Sequence, residues 1–342
     1  MIIFFLAPIT IRFLQYEGRY KNVVITRGNI LKTLLSHFKD NDVFNCHLYF
    51  QFSNNVNLER GTGAGVSREA FTEFFVEFLD GYCVGDHLKV PQPKLGVSKE
   101  DWEAISRVFG YATIYNIFPR RLCRTSTKMF MLGVRADDSE IIEDLLSFTS
   151  QTDRLVLQNS IDRFNDTPYD ELLTVLARLG SSSLPTEQNF RSILIEIGEF
   201  EFLQKPFFCI STMREIIKNY IFPISFSLAD SLSQEITYGR LAQQMLSIPV
   251  NEEERKSWNS LNSFLREASV QTLELFLRFS TGTNQIPARL ISVDYQQMSE
   301  VARRPISHSC SLSLTIPSDL NSEEMGNCLQ NYLSKPMEFD ME

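Results

Sequence analysis

The sequence has few of the residues, and none of the spacings, that mark metal and nucleotide sites. Its 342 residues include six cysteines, four histidines and two tryptophans. No two cysteines have Cys-x-x-Cys spacing and the histidines form no cluster with them, so a zinc site is not expected. HExxH, GxSxG and the lysine of a P-loop are absent too, which removes the usual signals for the enzymes that use them.

Basic residues are also fewer than acidic ones. The chain has 42 acidic residues against 33 lysines and arginines, and its net charge of -9 would repel a phosphate backbone. Nucleic acid is therefore not an expected partner. Residues 1–9 are apolar but lack a preceding basic residue and are too short to span a bilayer, so we interpret them as a buried strand or the cut end of a longer chain. We expect no membrane-spanning segment, and reduced thiols in an intracellular protein of the cytoplasm or nucleus.

The residues that are present predict an α+β fold. The chain is 43% hydrophobic and 22% charged, as in globular proteins, and its length predicts about two domains. Alternating apolar residues predict strands over Tyr20–Thr26 and 45–52, and helical spacing predicts amphipathic helices through much of the rest. Ser67, after the glycine-rich turn 61–65, is interpreted as a helix N-cap. That turn lacks Gly-Lys-Ser/Thr, which favours a strand-to-helix connection over a phosphate loop.

Proline and solvated charge predict a domain boundary near residue 248. Ile248-Pro249-Val250 is followed by the acidic run Glu252-Glu253-Glu254, a composition typical of linkers. We therefore divide the chain into residues 1–248 and residues 249–342.

Cys310 lies where a thiol can be both held and exposed. Residues 312–316 alternate between apolar and hydroxyl side chains, which predicts a strand that ends at Pro317, and the polar residues before Cys310 predict a loop. Arg303 and Arg304 lie shortly upstream, and positive charge near a thiol favours the thiolate. We predict that Cys310 is a nucleophile and interpret the other five cysteines as inert small hydrophobic residues.

His308, two residues before Cys310, is a less convincing partner for the thiol. The base of a cysteine hydrolase normally comes from a distant segment and is oriented by a third group. We therefore treat His308 as a supporting residue and not as a general base.

Several segments, taken together, resemble the HECT-type ubiquitin ligases. His308-Ser309-Cys310 resembles the family's His-Thr-Cys, and residues 276–283 are similar to its Leu-Gln-Phe-x-Thr-Gly-Thr. Residues 65–69 resemble its Gly-Val-Ser-Arg-Glu and residues 107–110 its Arg-Val-Leu-Gly. Phe339 is fourth from the end, where the family keeps a phenylalanine that supports ligation. Residues 184–189 and 204–206 are similar to segments of short, divergent members, and the matches run in family order from about residue 23 to the end.

The resemblance implies a bilobal α+β fold. It consists of a larger, mostly helical N-lobe (1–248) and a smaller α/β C-lobe (249–342), joined by a flexible hinge. A ubiquitin-conjugating enzyme would dock within residues 125–215. Cys310 would take ubiquitin from that enzyme as a thioester and pass it to a lysine of a protein substrate, with His308 and Phe339 in support. No metal or organic cofactor is called for.

Departures from the family pattern leave two alternatives open. Ser311-Leu312 stands where the family has Phe-Asn, and Ala64 interrupts its paired glycines. One alternative is a catalytically silent HECT-like module that binds a conjugating enzyme or ubiquitin. The other is a cysteine hydrolase, which would need a distant histidine beside Cys310.

Overall fold

The structure, a computed structural model, describes residues 19–53, 57–59, 61, 63–223, 226–233, 235–287, 289–298 and 303–333. Residues 1–9 and Phe339, on which two of the predictions above depend, lie outside these ranges. The described part of the chain is mostly helical with small sheets, so the predicted α+β class is confirmed. The hinge between two lobes stays a prediction.

The bounds of the regular elements are as follows. The strands are β1 (Tyr20–Thr26), β2 (His47–Ser53), β3 (Cys83–Val84), β4 (Val90–Pro91), β5 (Met245–Ser247), β6 (Ile291–Gln296), β7 (Ile306–His308) and β8 (Ser313–Pro317). The helices are α1 (Ile30–Phe38), α2 (Ala64–Gly81), α3 (Lys99–Ala112), α4 (Arg124–Leu132), α5 (Asp138–Phe148), α6 (Gln151–Asp162), α7 (Tyr169–Arg178), α8 (Phe190–Glu199), α9 (Phe207–Ile217), α10 (Leu228–Ser233), α11 (Tyr238–Gln243), α12 (Glu252–Glu267), α13 (Val270–Thr281) and α14 (Ser322–Leu333). A π-helical turn, Phe200–Gln204, joins α8 to α9.

The chain forms two compact units. The first contains the described residues up to Phe74, the segment Val108–Phe118 and the described residues from Ile221 onward, and the second contains Phe75–Arg107 and Pro119–Tyr220. Residues on both sides of position 248 therefore fall in the first unit. The predicted division into lobes is a statement about which parts move together, and it stays a prediction.

A four-stranded sheet in the first unit carries the segment with Cys310. Its strand order is β5-β6-β8-β7, with β8 parallel to β6 and antiparallel to β7. The predicted alternation along β8 is confirmed, because Leu314 and Ile316 are buried while Ser313 and Thr315 are partly exposed. The two buried side chains share a core with Leu277 of α13. Burial of a leucine contributes roughly 1.5–3 kcal/mol, which fixes the inward face of this strand.

Strand β7 corrects the predicted loop upstream of Cys310. Ile306 lies opposite Thr315 and His308 lies opposite Ser313 in an antiparallel pair. Strands β7 and β8 are thus two arms of a hairpin, joined by residues 309–312. Three residues are too few for an alternating pattern to be recognised in a sequence, because a strand signal needs four or more positions.

The acidic run after residue 251 begins a helix, so its interpretation as a linker is wrong. Glu252, Glu253 and Glu254 form the first turn of α12, and the side chain of Asn251 accepts a hydrogen bond of 2.9 Å from the backbone N–H of Glu254. Negative charge in the first turn is stabilised by the helix dipole. The acidic run therefore marks the start of a helix and not a linker.

Helix α2 begins earlier than predicted. Its first residue is Ala64, so Ser67 lies within the first turn and is not the N-cap. The backbone N–H and the hydroxyl of Ser67 both donate to the carbonyl of Gly63, at 3.2 and 3.3 Å. Serine is a stronger capping signal than glycine, which explains the displaced prediction.

The second unit is a helical body with its own core. Leucine, isoleucine, valine and phenylalanine side chains of α5 to α8 supply most of that core. Strands β3 and β4 add a short antiparallel pair. Among the helices of the described residues, none combines the length and the apolar character that crossing a membrane requires.

Candidate active site around Cys310

Cys310 lies in the connection of the β7–β8 hairpin and is exposed. The backbone N–H and the hydroxyl of Ser311 both donate to the carbonyl of His308, each at 3.1 Å. Leu312 ends the connection with a φ of 57°, in the left-handed region, while its side chain is buried. The thiol is therefore carried by an ordered turn whose end is anchored in the core.

The sulfur of Cys310 rests against the start of α2. The backbone N–H of Gly65 donates to the Sγ atom at 3.3 Å. A Cβ atom at Gly63 would lie 3.1 Å from this sulfur, and a Cβ atom at Gly65 would lie 2.1 Å from the hydroxyl of Ser309. The second distance is far inside van der Waals contact, so this approach requires glycine at position 65. We call Gly63, Gly65 and Arg68 together the seat of Cys310.

Arg68 holds the same turn from one helical turn further along α2. Its Nε donates to the carbonyl of Thr281 at 2.6 Å, and its terminal nitrogen Nη2 donates to the carbonyl of Ser309. Burial lowers the pKa of the Arg68 guanidinium, and attraction to Cys310 opposes that effect. An arginine remains charged at neutral pH even so. Arg68 is therefore a fixed cation close to the candidate nucleophile.

The arginine that lies near Cys310 in the structure is not one of the two that closely precede it in the sequence. Arg303 pairs with Asp319 at 3.0 Å, and these residues flank the end of the hairpin that is remote from Cys310. Arg303 precedes His308 by five residues, which is roughly 16 Å of extended chain. Proximity in sequence is therefore misleading, because the nearby cation comes from α2.

A network of charged residues around the buried Glu69 continues from the seat along α2. Glu69 is fully buried, and its Oε1 accepts a hydrogen bond of 3.0 Å from Arg27 and lies 3.7 Å from the guanidinium of Arg278. Arg278 also pairs with Glu73. Burial raises the pKa of Glu69, and the charge of Arg27 works against that rise. The network joins α2 to α13, whose last residue, Thr281, is the one that Arg68 binds.

Three of the other cysteines have surroundings that disfavour a thiolate. Cys123 is buried beside Asp144, and burial followed by this negative charge raises the pKa of its thiol. Burial raises the pKa of Cys209 to about 12. Cys328 is half-buried, and burial raises the pKa of its thiol as well. These thiols are poor nucleophiles at neutral pH.

The structure describes two of the three predicted site residues. His308 is the exposed last residue of β7, and the contact that it makes with the turn is through its carbonyl oxygen. Phe339 lies outside the described residues. Sequence reasoning missed Gly65 and Arg68 as neighbours of the thiol. The available signal was indirect, because both belong to one of the segments that resemble the HECT family.

These features define the class of molecule as an α+β protein with an exposed cysteine that contacts a helix N-terminus and lies on a turn held by a partly buried arginine. Comparison with known proteins adds no assignment: no family model matches the chain, and no curated protein matches it in sequence.

Proposed function

We propose that the chain is a HECT-type ubiquitin-protein transferase with Cys310 as its acceptor thiol. The observation that supports this most directly is a convergence of segments. Residues 65–69, residues 276–283 and residues 308–310 each resemble a HECT motif, and they meet around one exposed thiol through Gly65, Arg68 and Thr281. This meeting of three segments that are far apart in sequence supports the proposal.

The chemistry proposed for Cys310 has two acyl-transfer steps. In the first, the Cys310 thiolate attacks the thioester carbonyl of ubiquitin on a conjugating enzyme, a new carbon–sulfur bond forms, and the sulfur of that enzyme leaves as a thiolate. In the second, a lysine amine attacks the Cys310 thioester, an amide bond forms, and the electron pair of the broken carbon–sulfur bond returns to Cys310. The ammonium proton is lost to solvent.

Exposed aromatic residues support a docking role for the second unit. Phe200, Phe207 and Phe208 expose 45%, 67% and 43% of their surface. All three lie within residues 125–215, the range in which the resemblance implies contact with a conjugating enzyme. Large apolar side chains grouped at a surface are typical of protein–protein contacts. Ubiquitin transfer of this kind would take place in the cytoplasm or nucleus.

A thioester assay tests the proposal. Purified chain is mixed with a ubiquitin-charged conjugating enzyme, and the products are separated with and without reductant. We expect a ubiquitin adduct that reductant removes, that Cys310→Ala abolishes, and that Cys328→Ala leaves unchanged, because burial disfavours the Cys328 thiolate.

Each other outcome assigns the chain differently. Measurable binding of the conjugating enzyme or of ubiquitin without an adduct would identify a silent binding module. An adduct that survives in Cys310→Ala would remove Cys310 from the reaction. Release of free ubiquitin from a ubiquitin ester by the chain alone would favour a hydrolase.

A further inference from the structure

The N–H that meets the Cys310 sulfur belongs to the first turn of α2. The first amides of a helix have no carbonyl acceptor within it, so they are free to bind a group outside. In α2 the first amide that bonds within the helix is that of Ser67, which donates to Gly63. The Gly65 amide precedes it and donates to Sγ at 3.3 Å. A donor at this position also carries the partial positive charge of the helix terminus.

We propose that the Gly65 N–H is a catalytic group that stabilises the Cys310 sulfur as it leaves in the second transfer step, and that Arg68 is the positioning residue that keeps the sulfur there. This inference rests on the proposed function and adds an assignment of roles within it. The bond that breaks is the carbonyl carbon–Sγ bond of the ubiquitin thioester, and the charge that develops on Sγ is met by the amide.

The second step benefits from this contact more than the first. A hydrogen bond to a thiolate lowers its intrinsic nucleophilicity, favours ionisation of the thiol and makes the sulfur a better leaving group. Cys310 attacks in the first step and leaves in the second, so the two effects on attack oppose each other, whereas departure is accelerated. Donors fixed where charge develops stabilise the transition state because no reorganisation is needed. The seat therefore favours passing ubiquitin on over receiving it.

Arg68 gives the contact its geometry. Its two hydrogen bonds reach the carbonyls of Thr281 and Ser309, which belong to the end of α13 and to the hairpin connection. A planar guanidinium with several donors can bridge two such carbonyls, whereas the single ammonium of lysine cannot do so with the same geometry. Arg289 and Tyr115 are the other ionisable groups that act electrostatically on Arg68.

Substitution of Gly65 tests the contact between the Cys310 turn and α2. In Gly65→Ala the added methyl would lie 2.1 Å from the Ser309 hydroxyl and 3.0 Å from the Cys310 nitrogen, so the turn must move away from α2. The matched control is Gly81→Ala at the other end of the same helix, where a Cβ atom meets nothing within 4 Å. For Arg68→Ala the control is Arg303→Ala, whose side chain pairs with Asp319.

The experiment measures the two steps separately. Loading is followed with charged conjugating enzyme; then that enzyme is removed, free lysine is added, and thioester decay is recorded over a range of lysine concentrations. We expect Gly65→Ala and Arg68→Ala to slow the maximal decay rate about tenfold, with loading within about threefold of wild type and the half-saturating lysine concentration unchanged. Arg68→Lys should restore only part of the rate, and both controls should behave as wild type.

A rescue variant separates lost contact from lost folding. Adding Ser309→Ala to Gly65→Ala removes the 2.1 Å clash, leaving contacts of 3.0 Å, so the decay rate should recover in part. Should Gly65→Ala fail to fold, Arg68→Ala and Arg68→Lys decide the question.

The outcomes distinguish this inference from the function on which it rests. Wild-type chain that never loads ubiquitin refutes both. Wild-type chain that loads normally, with variants that discharge at the wild-type rate, refutes the role of the seat alone. Variants that lose loading but keep discharge also overturn it.

Discussion

At the residue scale, Leu312 combines two properties that are seldom found together. Its backbone is left-handed, with a φ of 57°, and its side chain is 6% exposed. A non-glycine residue in this region costs roughly 1–2 kcal/mol, and asparagine tolerates it better than leucine does. Leucine at this position therefore gains buried apolar surface at the cost of an unfavourable backbone conformation.

This exchange predicts a small net effect for Leu312→Asn. The variant loses roughly 2 kcal/mol of leucine burial but recovers about 1 kcal/mol of backbone strain, so the free energy of unfolding should fall by about 1 kcal/mol. Leu314 is fully buried in extended backbone, so Leu314→Asn should lower the free energy of unfolding by about 3 kcal/mol or more. Urea unfolding measures both. Equal losses would show that the backbone of residue 312 stores no strain.

Much of the local structure around these residues follows from the sequence, and the site does not. The sequence predicts the strand Tyr20–Thr26 with its observed bounds, and it predicts the alternation of buried side chains along β8. Both signals are local, because alternation acts over a few residues. The contact of Arg68 with Ser309 joins positions 241 residues apart and leaves no local trace.

At the scale of elements, α2 carries a buried carboxylate whose ionisation opposes folding. Because burial raises the pKa of Glu69 above its ordinary value, the folded protein binds this proton more tightly than the unfolded chain does. The stability contribution of the neutral form is complete below the ordinary pKa and is lost as pH rises through the higher folded value.

Glu69→Gln should therefore change the pH dependence of stability. The free energy of unfolding of the wild type, relative to this variant, should decrease as pH rises from about 4 to about 7. Glu215→Gln is the control: Lys218 lowers the pKa of this exposed carboxyl, so any trend should be weak and of opposite sign. Urea unfolding at several pH values provides the data. A wild-type stability that rises against Glu69→Gln over this range would contradict the argument.

The start of α9 supplies the second prediction at this scale. Phe207→Ser should weaken binding of the conjugating enzyme about tenfold or more if the exposed phenylalanines are the docking surface. It should leave thermal stability unchanged, since 67% of the side chain is exposed. Binding is measured by titration calorimetry, with Leu95→Ser, at a fully exposed apolar residue, as control. Equal affinities for wild type and Phe207→Ser would exclude this surface.

The errors in the predicted elements have one physical cause. Glu252 to Glu254 looked like a linker because charge is common both in linkers and in first helical turns, and the Asn251 cap is needed to tell them apart. Strand β7 is defined by its partner β8 rather than by its own three residues. Tertiary pairing decides such segments, and a single sequence does not contain it.

At the scale of the whole molecule, the core of the first unit draws on both sides of position 248. Leu241 and Met245 share a hydrophobic cluster with Leu261 and Leu265, and β5 pairs with β6. A hinge near Pro249 would have to move with these contacts or break them.

A chain cut at this point should therefore stay together. With a protease site inserted between Pro249, which is partly exposed, and Val250, which is exposed, cleavage should give two fragments that elute as one species in native buffer and separate in urea. Size-exclusion chromatography reads the result. Fragments that part without denaturant would mean that the shared cluster is weaker than its burial indicates.

Gly63 and Gly65 close one side of the Cys310 sulfur. With Gly63 and Gly65 close behind it, an acyl group on this atom must project outward, away from α2. An incoming amine, or an electrophilic inhibitor, meets the same restriction and has to arrive from the solvent face. Compact electrophiles that approach from the side away from α2 should label this cysteine, whereas bulky ones that must surround the sulfur should not.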